Sequence, residues 1–244
     1  MPDVFTIGTT RYQMNLIYIV DSSGSMIGVP INQLNVAMAE AVQVAEEAAL
    51  EKEVQLFMRV VEFNSVAKWL IGDTAHGVEH IDWMPLSAGG GTDTAGAIDL
   101  ARSVMHREFL GERNYRPVVI LITDGASNDP QATKEAVEKL KASLKSSKDP
   151  NKDKIIRIAI GVTGANQEEL VNFASVGNIE RDGVVEENVP LVFSVDDVSM
   201  LKSLLKGITV SSIASSVGGG VDGDKGETPT ITADYDGNDD EWEE

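Results

Sequence analysis

Leu16-Ile17-Tyr18-Ile19-Val20-Asp21-Ser22-Ser23-Gly24-Ser25 joins an unbroken apolar run to a cluster of oxygen-bearing side chains. The apolar half reads as a strand covered on both faces, the pattern of a parallel sheet rather than of an amphipathic surface strand. The polar half begins where that strand ends. Asp21, Ser23 and Ser25 stand at alternate positions, which puts one carboxylate and two hydroxyls on one side of a tight loop. These are hard oxygen ligands, and they suit a hard divalent cation: Mg²⁺ first, with Mn²⁺ or Ca²⁺ as alternatives. A cation held largely by hydroxyls keeps much of its charge and can take a further carboxylate from outside. Read alone, the same stretch would also serve as a turn and helix N-cap.

Outward from this stretch, apolar runs alternate with helical patterns. Pro30 opens a helix running to about Glu51. Val54–Phe63 is a strand, turned by Asn64-Ser65 into a hairpin partner at Val66–Ile71. Gly89-Gly90-Gly91-Thr92-Asp93-Thr94 is a loop, followed by a helix from about Ala95 to Phe109. Val118–Ile122 is a second wholly apolar strand, ending in Thr123-Asp124-Gly125. Asp129-Pro130 opens a lysine-rich helix to about Ser147; Ile155–Ile160 is a strand, Glu168–Ala174 a short helix, Leu191–Val195 the last strand and Val198–Ser215 the last helix. The order predicts an α/β fold: a doubly wound, mostly parallel central sheet with one antiparallel edge hairpin strand and helices on both faces. One domain, residues 1–216, is followed by a flexible acidic tail, 217–244.

Composition excludes several classes. The net charge is −19, and residues 222–244 alone hold ten carboxylates against one lysine. Nucleic-acid binding would need a basic face instead. There is no apolar stretch long enough to span a membrane and no secretory leader pattern. The absence of cysteine removes disulfides and thiol chemistry and fits a cytoplasmic setting. His76 and His80 have the spacing of a helical zinc pair, but Gly77 argues against that helix.

Sites in open α/β sheets form at the carboxyl ends of strands. If the strands Leu16–Val20 and Val118–Ile122 are neighbours, Asp21, Ser23, Ser25, Thr92 and Asp124 converge. The glycines of the three loops would allow close backbone approach there. Met26, Ile27, Asp93 and Asn128 would then rim the site, although Asp93 equally suits an N-cap. Gly89–Gly91 lacks the following Gly-Lys-Ser/Thr of a phosphate loop.

Asp21-x-Ser23-x-Ser25, the Gly-Gly-Thr92 loop and Thr123-Asp124-Gly125 together resemble the metal-ion-dependent adhesion site of von Willebrand factor A domains. The resemblance spans roughly residues 12–215. It implies that Asp21, Ser23, Ser25, Thr92 and Asp124 bind Mg²⁺ directly or through water. Within that family, the start Asn15–Pro30 looks most like TerY-type bacterial proteins of tellurite and stress-resistance operons. That likeness implies partner kinases or phosphatases encoded nearby; the cysteine-rich tail of some such proteins is replaced here by acids.

The function expected is a metal-dependent protein-binding module, not an enzyme, whose partner offers an Asp or Glu to the cation. The alternatives are a metal-dependent phosphatase or hydrolase, or a scaffold phosphorylated by a partner kinase. Catalysis would call for a general base near the cation, and the three loops contain no histidine or lysine. A phosphate-accepting aspartate is commonly followed two residues on by another; here that position is Ser23.

Overall fold

The computed structural model describes residues 12–72, 77–106, 110, 114–144, 154–197, 200–220 and 227–233. Strand β1, Gln13–Asp21, lies at the centre, paired in parallel with β2, Gln55–Phe63, on one side and β4, Val118–Thr123, on the other. The short β3, Ala67–Ile71, runs antiparallel along the outer edge of β2. Beyond β4 lie β5, Ile156–Val162, and β8, Val192–Val195, both parallel. The six-stranded order is β3-β2-β1-β4-β5-β8. This is the mostly parallel sheet with one antiparallel edge strand that the alternation of apolar runs and helical patterns predicts.

Every residue of β4 and β5 is buried, and eight of nine in β1. Side chains alternate faces along a strand, and the core divides accordingly. Leu16, Tyr18 and Val20 of β1 pack with α1, Val29–Glu51, and α5, Leu201–Gly218. Ile17 and Ile19 pack with α2, Thr94–Arg102, α3, Pro130–Ala142, and α4, Gln167–Phe173. Helices therefore cover both faces, which is why these strands need no polar face at all. The α1–α5 layer carries a polar tie into the sheet: Tyr18 Oη and Thr209 Oγ1 lie 2.7 Å apart, fully buried.

Two features depart from the sequence reading. Residues 176–190 form an antiparallel hairpin, β6, Val176–Arg181, and β7, Val184–Pro190. Its turn is Asp182-Gly183, both at positive φ (50° and 75°), the backbone that a two-residue hairpin loop needs. Asp-Gly between valine-rich flanks is a strong hairpin signal, but β7 is almost wholly exposed and lacks a clean apolar alternation.

The second departure concerns the flexible tail expected from 217. Helix α5 extends to Gly218, and Thr230–Thr232 form β9, paired in parallel with β6 in a separate three-stranded sheet. Ile231 and Ala233 are fully buried. Three consecutive β-branched residues suffice for a strand where a partner edge and an apolar pocket are already present. Glycines and carboxylates around them hid this from composition. Tyr235 and Trp242, and the acids from Asp234 on, lie outside the described residues, as does His76.

Candidate metal site

After β2 and β3 the chain returns across the sheet to place β4 on the far side of β1. The carboxyl ends of β1 and β4 therefore meet at the point where strand order reverses, the usual place for a site in such sheets. Val20 lies opposite Ile122, which brings Asp21 and Asp124 to adjacent strand ends.

Asp21 is fully buried. Its Oδ1 accepts the Ser23 N–H at 2.7 Å, closing a tight turn, and its Oδ2 accepts the Thr123 hydroxyl at 2.6 Å. Burial pushes the Asp21 carboxyl above its ordinary pKa; the bonds from Thr123 and Ser23 pull it back in part, and the charge of Asp124 adds a further upward push. The Ser23 and Ser25 hydroxyls lie 3.0 Å apart, and Ser25 donates to Asp124 Oδ1 at 2.7 Å. One chain of oxygens thus runs Ser23, Ser25, Asp124, tied to Asp21 through the Ser23 backbone. Ser23 and Asp124 are buried and Ser25 is exposed, so the chain reaches the surface at Ser25.

The glycine loop closes over this turn by backbone bonds. Gly89 N–H donates to Ser22 O at 2.8 Å, and Gly24 N–H donates to Gly90 O at 3.0 Å. Gly24 is needed for that approach: a Cβ there would sit 3.2 Å from Gly90 O. Thr92 is held beside the Asp124 loop by the Asn128 N–H, which donates to Thr92 O at 3.0 Å. The five residues singled out from sequence therefore come from three loops that the backbone binds to one another.

The rim is only partly as expected. Ile27 is 64% exposed, but Met26 is fully buried. The Gly24–Met26 3-10 turn swings the methionine inward to pack with the α1 side of the core. Asp93 is half-buried and caps α2, accepting the Gly96 N–H at 3.0 Å, so its carboxylate serves the helix rather than a partner. Asn128 is exposed, and its side-chain amide lies against Gly91.

Three supporting residues escaped the sequence reading. Thr123 anchors Asp21 as described. Ser22 donates to Glu62 Oε1 at 2.9 Å, and Glu62 pairs with Lys68 of β3 at 3.1 Å. A lone acid in the apolar run Val60-Val61-Glu62-Phe63 was the available signal, since a buried carboxylate requires a partner. Among the described residues no group of three or more His, Cys, Asp or Glu side chains could hold a metal ion. The donor set that exists, two carboxylates with serine hydroxyls and no nitrogen or sulfur, fits a hard cation and not a soft one.

Residues 15–206 match the family model of the von Willebrand factor type A domain. The chain belongs to this family. Several solved structures share its fold. Proximal thread matrix protein 1 from the mussel byssus is 19% identical with a TM-score of 0.57, over 83% of this chain and 47% of that one. A von Willebrand factor type A protein from Catenulispora acidiphila is 18% identical with a TM-score of 0.57, over 83% and 43%. The mussel protein has also been solved with a zinc-occupied MIDAS motif, at 18% identity and a TM-score of 0.55, over 83% and 46%. The chain thus spans less than half the length of these structures, and at such identities the likeness is one of fold. A comparison with curated protein sequences gives no match. No helix among the described residues of this von Willebrand A chain is long and apolar enough to cross a membrane.

Proposed function

We propose that the chain is a metal-ion-dependent protein-binding module. Asp21, Ser23, Ser25, Thr92 and Asp124 would hold the cation, Mg²⁺ by preference. When bound, the cation supplies a positive centre that a partner's Asp or Glu can enter in place of water. The observation that carries this reading is the oxygen chain from Ser23 through Ser25 to Asp124, built at the strand-order reversal and open to solvent at Ser25.

The residues divide the task. Asp21 and Asp124 supply negative charge, while Thr123 and the Ser23 N–H hold the Asp21 carboxylate in one orientation. The glycine loop would supply Thr92, and it leaves Gly90 exposed at the surface. Exposed Ile27 gives a partner an apolar contact beside the polar centre. The reading is non-catalytic, because the loops carry no histidine or lysine to act as a base. The TerY-like start of the chain extends it to a stress-response or tellurite-resistance-like assembly with a partner kinase or phosphatase. That extension rests on resemblance.

The experiment is Mg²⁺ titration by calorimetry together with capture of partners from the source organism, with and without EDTA, for the wild type, Asp21→Ala and Asp124→Ala. Binding that depends on metal and is lost in both variants supports the proposal. Capture that survives EDTA and both substitutions overturns it.

A further inference from the structure

Asp124 is held at the end of β4, but the segment that follows it, Gly125–Asn128, belongs to no strand or helix. That segment decides where two proposed ligands sit. Asp124 opens it, and Asn128, at its far end, holds Thr92 through the Asn128 N–H and Thr92 O. Ser127, between them, is 7% exposed, so its N–H requires a partner within the protein. That partner is Glu169 Oε2 at 3.1 Å, from a helix 42 residues further along the chain.

Glu169 is well placed to act as an anchor. Asn166 caps its helix, accepting the N–H groups of Glu168 and Glu169 at 3.0 and 3.3 Å. The next residue, Leu170, and Phe173 are each only 1% exposed and lock α4 onto the sheet. The loop preceding α4 backs onto the same place: a Cβ at Gly164 would lie 3.4 Å from Asp124 O. Two polar atoms beside this contact, Glu169 Oε1 and Ser127 Oγ, are buried without a hydrogen-bond partner among the described residues. Burying an unmatched carboxylate oxygen and hydroxyl is unfavourable, so the arrangement is not one that stability alone would select.

We infer that Glu169 is a positioning residue for the metal site, setting Asp124 and Thr92 relative to each other through Ser127 and Asn128. It acts by accepting a hydrogen bond from the Ser127 N–H and is not itself a ligand. The inference rests on the metal-site reading above and extends it to a residue outside the three loops.

The test uses the full chain and three variants, Glu169→Ala, Glu169→Gln and Ser127→Ala. It has two readouts: amide hydrogen exchange over residues 124–129 in EDTA, and Mg²⁺ affinity by calorimetry. Glu169→Ala should speed exchange at Ser127 by about tenfold, the loss of one buried hydrogen bond. It should also weaken Mg²⁺ by roughly tenfold, as loss of a supporting bond near a metal does. Glu169→Gln keeps an acceptor and should restore both to within about threefold. Ser127→Ala keeps the N–H and should leave both unchanged.

Unchanged exchange and affinity in Glu169→Ala would overturn the inference. So would a Glu169→Gln variant as impaired as the alanine, since charge rather than hydrogen bonding would then matter. If Glu169→Ala does not fold, Glu169→Met, which keeps the side-chain length but offers no oxygen acceptor to the Ser127 N–H, takes its place with the same expected losses and the same overturning result. If the wild type takes up no Mg²⁺, the metal-site reading fails, while the exchange arm still shows whether Glu169 orders the loop.

Discussion

Ser25 donates its hydroxyl proton to Asp124 Oδ1 at 2.7 Å across 99 positions of chain, joining the loops after two adjacent parallel strands. The contact is part-buried: Asp124 is 8% exposed, but Ser25 lies at the surface, so water can replace its hydroxyl at Asp124 Oδ1. Ser25→Ala should therefore cost little stability, about 1 kcal/mol or less in urea unfolding with EDTA present. The same change removes a hydroxyl from the donor set and should weaken Mg²⁺ by roughly tenfold or more. Calorimetric titration beside urea unfolding separates the two effects, and a large stability loss with unchanged affinity would count against the assignment.

A contrasting pair lies in the core beneath. Thr209 Oγ1 donates to Leu205 O at 2.6 Å, so the proton in its 2.7 Å contact with Tyr18 comes from the tyrosine. Burial pushes the Tyr18 hydroxyl far above its usual pKa, so it stays neutral at any working pH. Tyr18→Phe removes a donor and leaves nothing buried unmatched except an acceptor lone pair; it should cost about 1 kcal/mol. Thr209→Val strands the buried tyrosine hydroxyl and should cost about 2 kcal/mol. Urea unfolding of both variants checks the order, and Mg²⁺ affinity should not change in either.

The parts of this molecule that could be read from sequence share a physical cause. β1, β4 and β5 are covered on both faces, so burial writes them as nearly continuous apolar runs, interrupted by buried Asn15 in β1 and buried Arg157 in β5. Their carboxyl ends follow at once, which is why Asp21 and Asp124 could be paired from sequence. β7 is exposed along nearly its whole length, so burial leaves no pattern in it. β9 takes its stability from β6 and α5, distant in sequence. Contacts such as Ser22 with Glu62, or Ser127 with Glu169, depend on which elements become neighbours, and no local spacing encodes them. Met26 follows the metal loop directly and so suggested a rim contact, but the 3-10 turn redirects it into the core.

The weight carried by β9 can be measured by two truncations. A chain ending at Ala233 keeps the strand, and one ending at Gly226 loses it together with buried Ile231. An isoleucine moved from core to solvent forfeits about 2 to 3 kcal/mol. The shorter chain should be less stable than the longer by about 3 kcal/mol or more in urea unfolding. Equal stabilities would show that β9 contributes nothing and that the folded unit ends with α5.

The buried Asp21 carboxyl gives the metal-free protein a defined pH dependence. Its folded pKa lies above its unfolded value, chiefly because burial disfavours the charged form. The folded state then binds more protons than the unfolded state between the two values, so stability falls as pH rises through that window. The contribution is fully present below the ordinary aspartate pKa and lost once pH passes the raised one. In EDTA, thermal unfolding followed upward from pH 4 should show this fall, and Asp21→Asn should flatten it while abolishing Mg²⁺ uptake. Saturating Mg²⁺ should also reduce the fall in the wild type by favouring the charged form. An identical pH profile for Asp21→Asn would show that other groups carry the dependence.

Gly90 offers the sharpest test of loop closure. Its φ is +86°, a conformation that side chains rarely adopt, and a Cβ there would sit 2.6 Å from Ser65 Oγ. That oxygen accepts the Gly91 N–H at 2.8 Å, while Gly90 O accepts the Gly24 N–H at 3.0 Å. Gly90→Ala must therefore strain the backbone, by about 1 to 2 kcal/mol, and push Ser65 aside. Both effects reach the turn that orients Ser23 and Ser25 and the loop that presents Thr92. Gly89 is the natural control, with no positive φ and nothing within 4 Å of where its Cβ would stand. Gly90→Ala should lower the unfolding temperature and weaken Mg²⁺ by roughly tenfold, whereas Gly89→Ala should change neither appreciably. If Gly90→Ala lost stability but kept its full Mg²⁺ affinity, the glycine loop would be a structural lid unconnected to the ligand set, and Thr92 would have to be dropped from it.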